Sequence, residues 1–121
     1  MGFSAGGLAT LLSAADDPGV SAWVGLDPVD RKGLGAKAAA RVTSPTLVLT
    51  AEPSGCNASG NARDIVAALP RGEHVRVAGA VHVDAEWPTS WLAEASCGRS
   101  DGARRREFVR LATAALHAAL R

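Results

Sequence analysis

The amino-acid sequence predicts an α/β domain in which parallel strands alternate with helices. Short aliphatic and β-branched runs, typical of buried strands, alternate with longer segments of helical spacing along the chain. A second observation is the glycine-rich segment at residues 2–7, which is typical of a sharp turn leading into a helix. The length of 121 residues and the 47% hydrophobic content suit one small globular domain.

The first half of the chain predicts a helix followed by a strand. Leu8, Leu11 and Leu12 have helical spacing, and the turn residues at 16–19 end that helix. Residues 20–26 then form a short apolar run, which predicts a buried strand ended by an Asp-Pro pair.

The middle of the chain predicts the remaining strands. Residues 31–41 are rich in Gly and Ala and indicate a short helix. Residues 45–50 form the strongest strand, a run of the kind that is buried on both faces of a parallel sheet. A helix at 62–69 and a strand at 73–78 follow.

The last third predicts a long loop and a terminal helix. The loop contains Trp87 and Trp91, and residues 103–120 carry an apolar stripe at helical spacing. The basic run at residues 104–106 begins this helix, and we expect it to be a solvated helix face rather than a binding patch.

Charge and hydropathy exclude several classes of partner. The chain has 13 basic and 12 acidic residues, a net charge of +1, so no nucleic-acid partner and no anionic membrane surface is indicated. No run approaches the roughly 18 apolar residues of a transmembrane helix. No signal peptide is visible, and the localisation stays undetermined.

Residues 2–6 match the pattern G-x-S-x-G, in which a serine sits on a tight turn between a strand and a helix. A serine hydroxyl is a weak nucleophile that needs a base, and the base needs an acid to orient it. Ser4 is therefore the candidate nucleophile, with a helix N-cap as its alternative role. The backbone N–H of Ala5 is the expected oxyanion donor, together with a second donor from an earlier loop.

His82 is the candidate base, because it follows a predicted strand where a parallel sheet would present it to the serine. His74 lies at a strand entrance and His117 within the terminal helix, so neither has such a position.

The acid is predicted to be Asp27, which ends the strand after the first helix and precedes Pro28. Glu52 ends the next strand and is the first alternative, and Asp30 and Asp84 are weaker ones. A simple turn-forming role is also open for Asp27.

The two cysteines, Cys56 and Cys97, are 41 residues apart and lie in polar, loop-like segments. They could form a disulfide or remain two separate thiols. No metal-ligand spacing is present, so no metal site is predicted. Residues 57–59 form a glycosylation sequon, a pattern that is frequent by chance.

Three segments together resemble the chlorophyllase branch of the α/β-hydrolases: Gly2-Phe3-Ser4-Ala5-Gly6-Gly7, Leu26-Asp27-Pro28-Val29-Asp30 and His82-Val83-Asp84. In that family the first aspartate of the second segment is the triad acid, and platelet-activating-factor acetylhydrolases are similar in this placement. Cutinase-like relatives instead carry the acid one strand later, near Glu52. Phe3 and Arg31 depart from the chlorophyllase pattern, which weakens the case for chlorophyll as substrate more than the case for ester hydrolysis.

The resemblance implies that residues 1–121 are the C-terminal half of an α/β-hydrolase fold, from the elbow helix to the terminal helix. We expect the strand before the elbow and the other N-terminal strands to be absent. The implied activity is that of a serine carboxylic-ester hydrolase, which acts through an acyl-enzyme on small or lipid-like esters and uses no cofactor. The alternative is a catalytically inactive remnant or interaction module that self-associates through an exposed sheet edge.

Overall fold

Four short strands pair side by side, in chain order, to form an all-parallel sheet. The computed structural model describes residues 1–121. Its strands are β1 (Gly2–Phe3), β2 (Trp23–Leu26), β3 (Thr46–Thr50) and β4 (Gly72–Arg76). The predicted α/β class with parallel strands is thereby confirmed.

Helices connect the strands and complete the chain after the last one. They are α1 (Ser4–Asp16), α2 (Leu34–Ala39), α3 (Ala62–Ala68), α4 (Trp91–Cys97) and α5 (Gly102–Ala119). Two short 3₁₀ turns, Gly55–Asn57 and His82–Ala85, lie in the loops after β3 and β4. Parallel neighbours need such crossover connections, because a tight turn cannot join their ends.

The first two residues of the elbow, Gly2 and Phe3, already form a strand of two residues. They pair with Gly25 and Leu26 at the start of the sheet. Two residues are too few to give an alternating or apolar pattern, so the sequence carries no strand signal here.

The central strands are buried on both faces, and alternating residues serve two apolar clusters. Trp23 and Val48 face α1, α2 and α3, whereas Leu47 and Leu49 face α5. The pairing of Val24 with Leu47 keeps their side chains on the α5 face. The sheet is therefore covered by helices on both sides, as parallel sheets require.

The segment predicted as one long loop contains the helix α4. Ser90 begins this helix, and its side chain accepts a hydrogen bond from the backbone N–H of Ala93 at 3.1 Å. None of its residues is buried, so no apolar face marks the helix in the sequence.

The terminal helix α5 packs through its apolar stripe, with Phe108 and Ala112 buried. The basic run is less uniformly exposed than predicted. Arg104 pairs with buried Asp84, and the Arg105 guanidinium lies 4.3 Å from the ring centre of Trp87. No helix in the chain combines the length and the apolar character that crossing a membrane requires.

Candidate active site

The carboxyl ends of the strands gather the polar side chains of this site at one edge of the sheet. Ser4 follows β1 directly, Asp27 follows β2, and His82 lies in the 3₁₀ turn after β4. Because all strands are parallel, these positions meet although 78 residues separate Ser4 from His82.

Ser4 has a left-handed backbone with φ of 51°, which is unfavourable for a residue with a side chain. Two of the nearby glycines, Gly2 and Gly7, have no space for a side chain. A Cβ atom at Gly2 would overlap the carbonyl oxygen of Gly6, and one at Gly7 would lie 2.8 Å from Cβ of Pro28. The tight turn thus depends on close backbone approach at both glycines.

A continuous hydrogen-bond chain joins the three predicted residues. Ser4 Oγ lies 3.0 Å from Nε2 of His82, and Nδ1 of His82 lies 2.6 Å from Oδ2 of Asp27. An ionised carboxylate only accepts hydrogen bonds, so Nδ1 carries the proton. Nε2 is then the acceptor for the serine hydroxyl, which is the arrangement of a base aimed at a nucleophile.

The Asp27 carboxylate is buried and accepts hydrogen bonds on both oxygens. The residue is 1% exposed. Oδ1 accepts from the backbone N–H of Ala51 at 3.0 Å, and Oδ2 accepts from Nδ2 of Asn57 at 3.0 Å as well as from His82. Asp27 also has a left-handed backbone, with φ of 41°. These contacts stabilise a negative charge away from water.

His82 is held from two sides. Its ring centre lies 4.7 Å from that of Phe3, the residue before the serine. The turn that carries it is anchored by buried Asp84, which accepts from the N–H groups of Val81 at 2.8 Å and Asp101 at 2.7 Å. The histidine is 6% exposed, so its ring is restrained by protein contacts.

The alternative acids have other partners. Glu52 is exposed, accepts from the N–H of Gly79 at 3.2 Å and lies 3.9 Å from Arg76. The Asp30 carboxylate accepts from three backbone N–H groups at the start of α2, those of Arg31, Gly35 and Ala36. Asp84 pairs with Arg104 at 2.6 Å. Only Asp27 contacts an imidazole.

The other two histidines lie away from the serine. His74 Nε2 lies 2.9 Å from the Thr50 hydroxyl. Burial, and secondarily the charge of Arg76, lowers the pKa of His74 below its ordinary value. His117 is exposed near the end of α5.

Ala5 lies in the first turn of α1, where backbone N–H groups have no carbonyl partner within the helix. The residue is exposed and directly follows Ser4. Its N–H is therefore free to interact with an oxygen atom bound beside the serine, and the helix dipole favours negative charge there.

A disulfide joins Cys56 and Cys97, whose Cα atoms are 5.7 Å apart. It connects the 3₁₀ turn after β3 to the end of α4. The neighbouring Asn57 is 1% exposed, and its side-chain amide is hydrogen-bonded within the fold. The sequon at residues 57–59 is thus not available for glycosylation in the folded chain.

Asn57 is the contact residue that sequence reasoning missed. The sequon at this residue points to an exposed loop rather than to a buried partner of Asp27. Its neighbour Cys56 is a weak local sign of a fixed loop, but nothing in the spacing links residue 57 to residue 27.

One cavity with mainly apolar lining residues is separate from the three residues. It has a volume of about 140 Å³ and lies between the end of β2 and α5, with Leu26, Trp87 and Phe108 among its lining residues. Neither Ser4 nor His82 lines it.

The evidence for a function is therefore the geometry of Ser4, His82 and Asp27. Similar proteins give no further evidence. No family model matches the chain, and comparisons with curated proteins and with solved structures find no match.

Proposed function

We propose that this chain carries the catalytic triad of a serine hydrolase that acts on carboxylic esters, with Ser4 as nucleophile, His82 as base and Asp27 as acid. The observation that carries the proposal is the hydrogen-bond chain from Ser4 to Asp27, combined with the left-handed backbone at Ser4. Strained non-glycine residues cluster at functional sites because the surrounding structure must hold them in place.

The reaction follows from these contacts. Ser4 Oγ attacks the ester carbonyl carbon while Nε2 of His82 takes the hydroxyl proton, and the Ala5 N–H stabilises the resulting oxyanion. Collapse of the tetrahedral intermediate transfers that proton to the departing alkoxide and leaves an acyl group on Ser4. Water, deprotonated by His82, then releases the acid and restores the serine.

We further propose that the parallel sheet is the C-terminal part of an α/β-hydrolase fold. The order Ser, Asp, His along the chain supports this, as does the strand, tight turn and helix formed by β1, Ser4 and α1. Small or lipid-like esters are the proposed substrates, and the scheme needs no metal ion or organic cofactor.

The test compares Ser4→Ala with Ser13→Ala, a substitution on the exposed side of the same helix. Hydrolysis of p-nitrophenyl butyrate and the rate of labelling by a fluorophosphonate are measured on the full chain. We expect both to fall to background in Ser4→Ala and to stay unchanged in Ser13→Ala. Equal activity in Ser4→Ala and the wild type would contradict the proposal.

A non-catalytic interaction module is the second candidate, and the exposure of two tryptophans favours it. Trp87 and Trp91 are 73% and 80% exposed, and large exposed apolar surface is typical of an interaction site. For this role we expect a folded chain that fluorophosphonate does not label and that self-associates in sedimentation equilibrium. A monomeric chain labelled at Ser4 would contradict it.

A further inference from the structure

We propose that Asn57 is a positioning residue of this site: its side-chain amide holds the Asp27 carboxylate in the orientation that serves His82. The inference rests on the proposed function, because the positioning matters only if His82 acts as a base. It assigns a role to a residue whose sequence pattern indicated nothing of the kind.

The contact is made on the oxygen that the imidazole uses. Asn57 Nδ2 donates to Oδ2 of Asp27 at 3.0 Å, and the same oxygen accepts from Nδ1 of His82 at 2.6 Å. The other oxygen is fixed by the N–H of Ala51. Loss of Asn57 would leave Oδ2 with the imidazole as its single donor and the carboxylate freer to rotate.

Asn57 is itself fixed by a complete set of hydrogen bonds. Its Oδ1 accepts from the N–H groups of Ser54 at 2.8 Å and Gly60 at 3.0 Å, and Nδ2 also donates to the Glu52 carbonyl at 3.0 Å. A flipped amide would place its oxygen against two acceptors and its nitrogen against two donors. The surrounding backbone therefore determines that the N–H₂ group points at Asp27.

The effect on catalysis would be specific to the chemical step. Asn57 is 1% exposed, so its side chain is not available to contact a substrate directly. The imidazolium that forms during attack needs the carboxylate in line with Nδ1. Loss of that alignment lowers kcat and leaves KM nearly unchanged.

A matched asparagine separates positioning from a general structural role. Asn61 bridges the same two loops, with Nδ2 donating to the Asp30 carbonyl at 2.8 Å and Oδ1 accepting from the Asp30 N–H at 2.9 Å. It has the same side chain and makes two hydrogen bonds across the loops, where Asn57 makes one, but it makes no hydrogen bond to Asp27. If Asn57 had only a structural role, substitution of either asparagine would therefore lower kcat to a similar extent.

The experiment compares Asn57→Asp with Asn61→Asp in the full chain. Asn57→Asp keeps the acceptor oxygen for Ser54 and Gly60 but places a carboxylate oxygen against Asp27. With p-nitrophenyl butyrate we expect kcat to fall about 10- to 100-fold, which is the effect of losing a group that orients a residue of the site. We expect KM to stay within about 3-fold of the wild type. Asn61→Asp should keep kcat within about 3-fold of the wild type.

A spectroscopic readout keeps the test independent of turnover. The proton on Nδ1 of His82, hydrogen-bonded to Asp27, gives a low-field NMR resonance. We expect Asn57→Asp to shift or broaden it, and Asn61→Asp to leave it in place. Should Asn57→Asp unfold, Asn57→Ser, whose hydroxyl is too short to reach Asp27, takes its place.

The two proposals fail in different ways. An unchanged low-field resonance in both Asn57 variants, or an equal loss of kcat in Asn57→Asp and Asn61→Asp, overturns the positioning role while Ser4-dependent hydrolysis stands. Hydrolysis that survives Ser4→Ala overturns the proposed function, even where the resonance of the Asn57 variant shifts.

Discussion

Two residues with side chains, Ser4 and Asp27, adopt a left-handed backbone at the ends of neighbouring strands. Such a conformation costs about 1–2 kcal/mol for a residue that has a Cβ atom. Backbone hydrogen bonds hold both residues: the Ser4 carbonyl accepts from the N–H of Val29 in the loop after β2 at 3.2 Å, and the Asp27 N–H donates to the carbonyl of Leu49 in β3 at 2.7 Å. The fold thus maintains strain where the proposed chemistry needs a fixed geometry.

The strain at Ser4 predicts an unusual order of stability. Ser4→Gly relieves the steric cost but makes the unfolded chain more flexible, so we expect it to be about 1 kcal/mol more stable than Ser4→Ala. At the exposed helical position Ser13 the order reverses, with Gly less stable than Ala by about 1 kcal/mol. Urea unfolding of the four variants measures both differences. If Ser4→Gly is also less stable than Ser4→Ala, the backbone at Ser4 is not strained in solution.

At the scale of residues, the site could be predicted where its signals are local. Ser4 lies in a short pattern, and Asp27 and His82 each follow a strand that apolar residues mark. Asn57 could not be predicted, because its role depends on a contact with a residue 30 positions away. Only the folded backbone around Ser54 and Gly60 determines which way its amide points.

At the scale of elements, one buried ion pair links helix α5 to the turn that contains His82. Asp84 is fully buried and accepts from Nε of Arg104 at 2.6 Å as well as from two backbone N–H groups. Desolvation makes such a pair costly to form, but loss of one member leaves the other groups unpaired inside the protein.

We therefore predict that Asp84→Ala lowers the free energy of unfolding by about 3–5 kcal/mol. The matched control is Glu107→Ala, which breaks the exposed pair with Arg110 on the same helix and should change stability little. Urea denaturation followed by circular dichroism gives both values. Similar losses in the two variants would show that the buried pair has no special part in holding this turn.

Most of the elements that the sequence predicted have a buried apolar face, but β4 was predicted although all five of its residues are exposed. Strands β2 and β3 and helix α5 bury one or two faces. A buried face requires apolar residues at a regular spacing, and this spacing can be recognised in the sequence. Strand β1 and helix α4 escaped prediction for opposite reasons. β1 has two residues and is defined by pairing alone, whereas α4 buries no residue and depends on its Ser90 cap.

At the scale of the whole molecule, the disulfide attaches the one helix that buries no residue. Three helices cover one face and α5 the other, while α4 has no buried residue of its own. The bond between Cys56 and Cys97 attaches α4 to the loop that contains Asn57, across 41 positions of sequence. A covalent link of that span restricts the unfolded chain more than local contacts do.

The span of the disulfide predicts its effect on stability. Loss of a cross-link that closes about 40 residues should lower the free energy of unfolding by about 3–4 kcal/mol, because the unfolded chain regains its freedom. We expect dithiothreitol to lower the urea midpoint of the wild type, and Cys56→Ser/Cys97→Ser to show the lowered midpoint with or without the reductant. An equal midpoint for oxidised and reduced wild type would mean that α4 and the loop of Asn57 are held by non-covalent contacts instead.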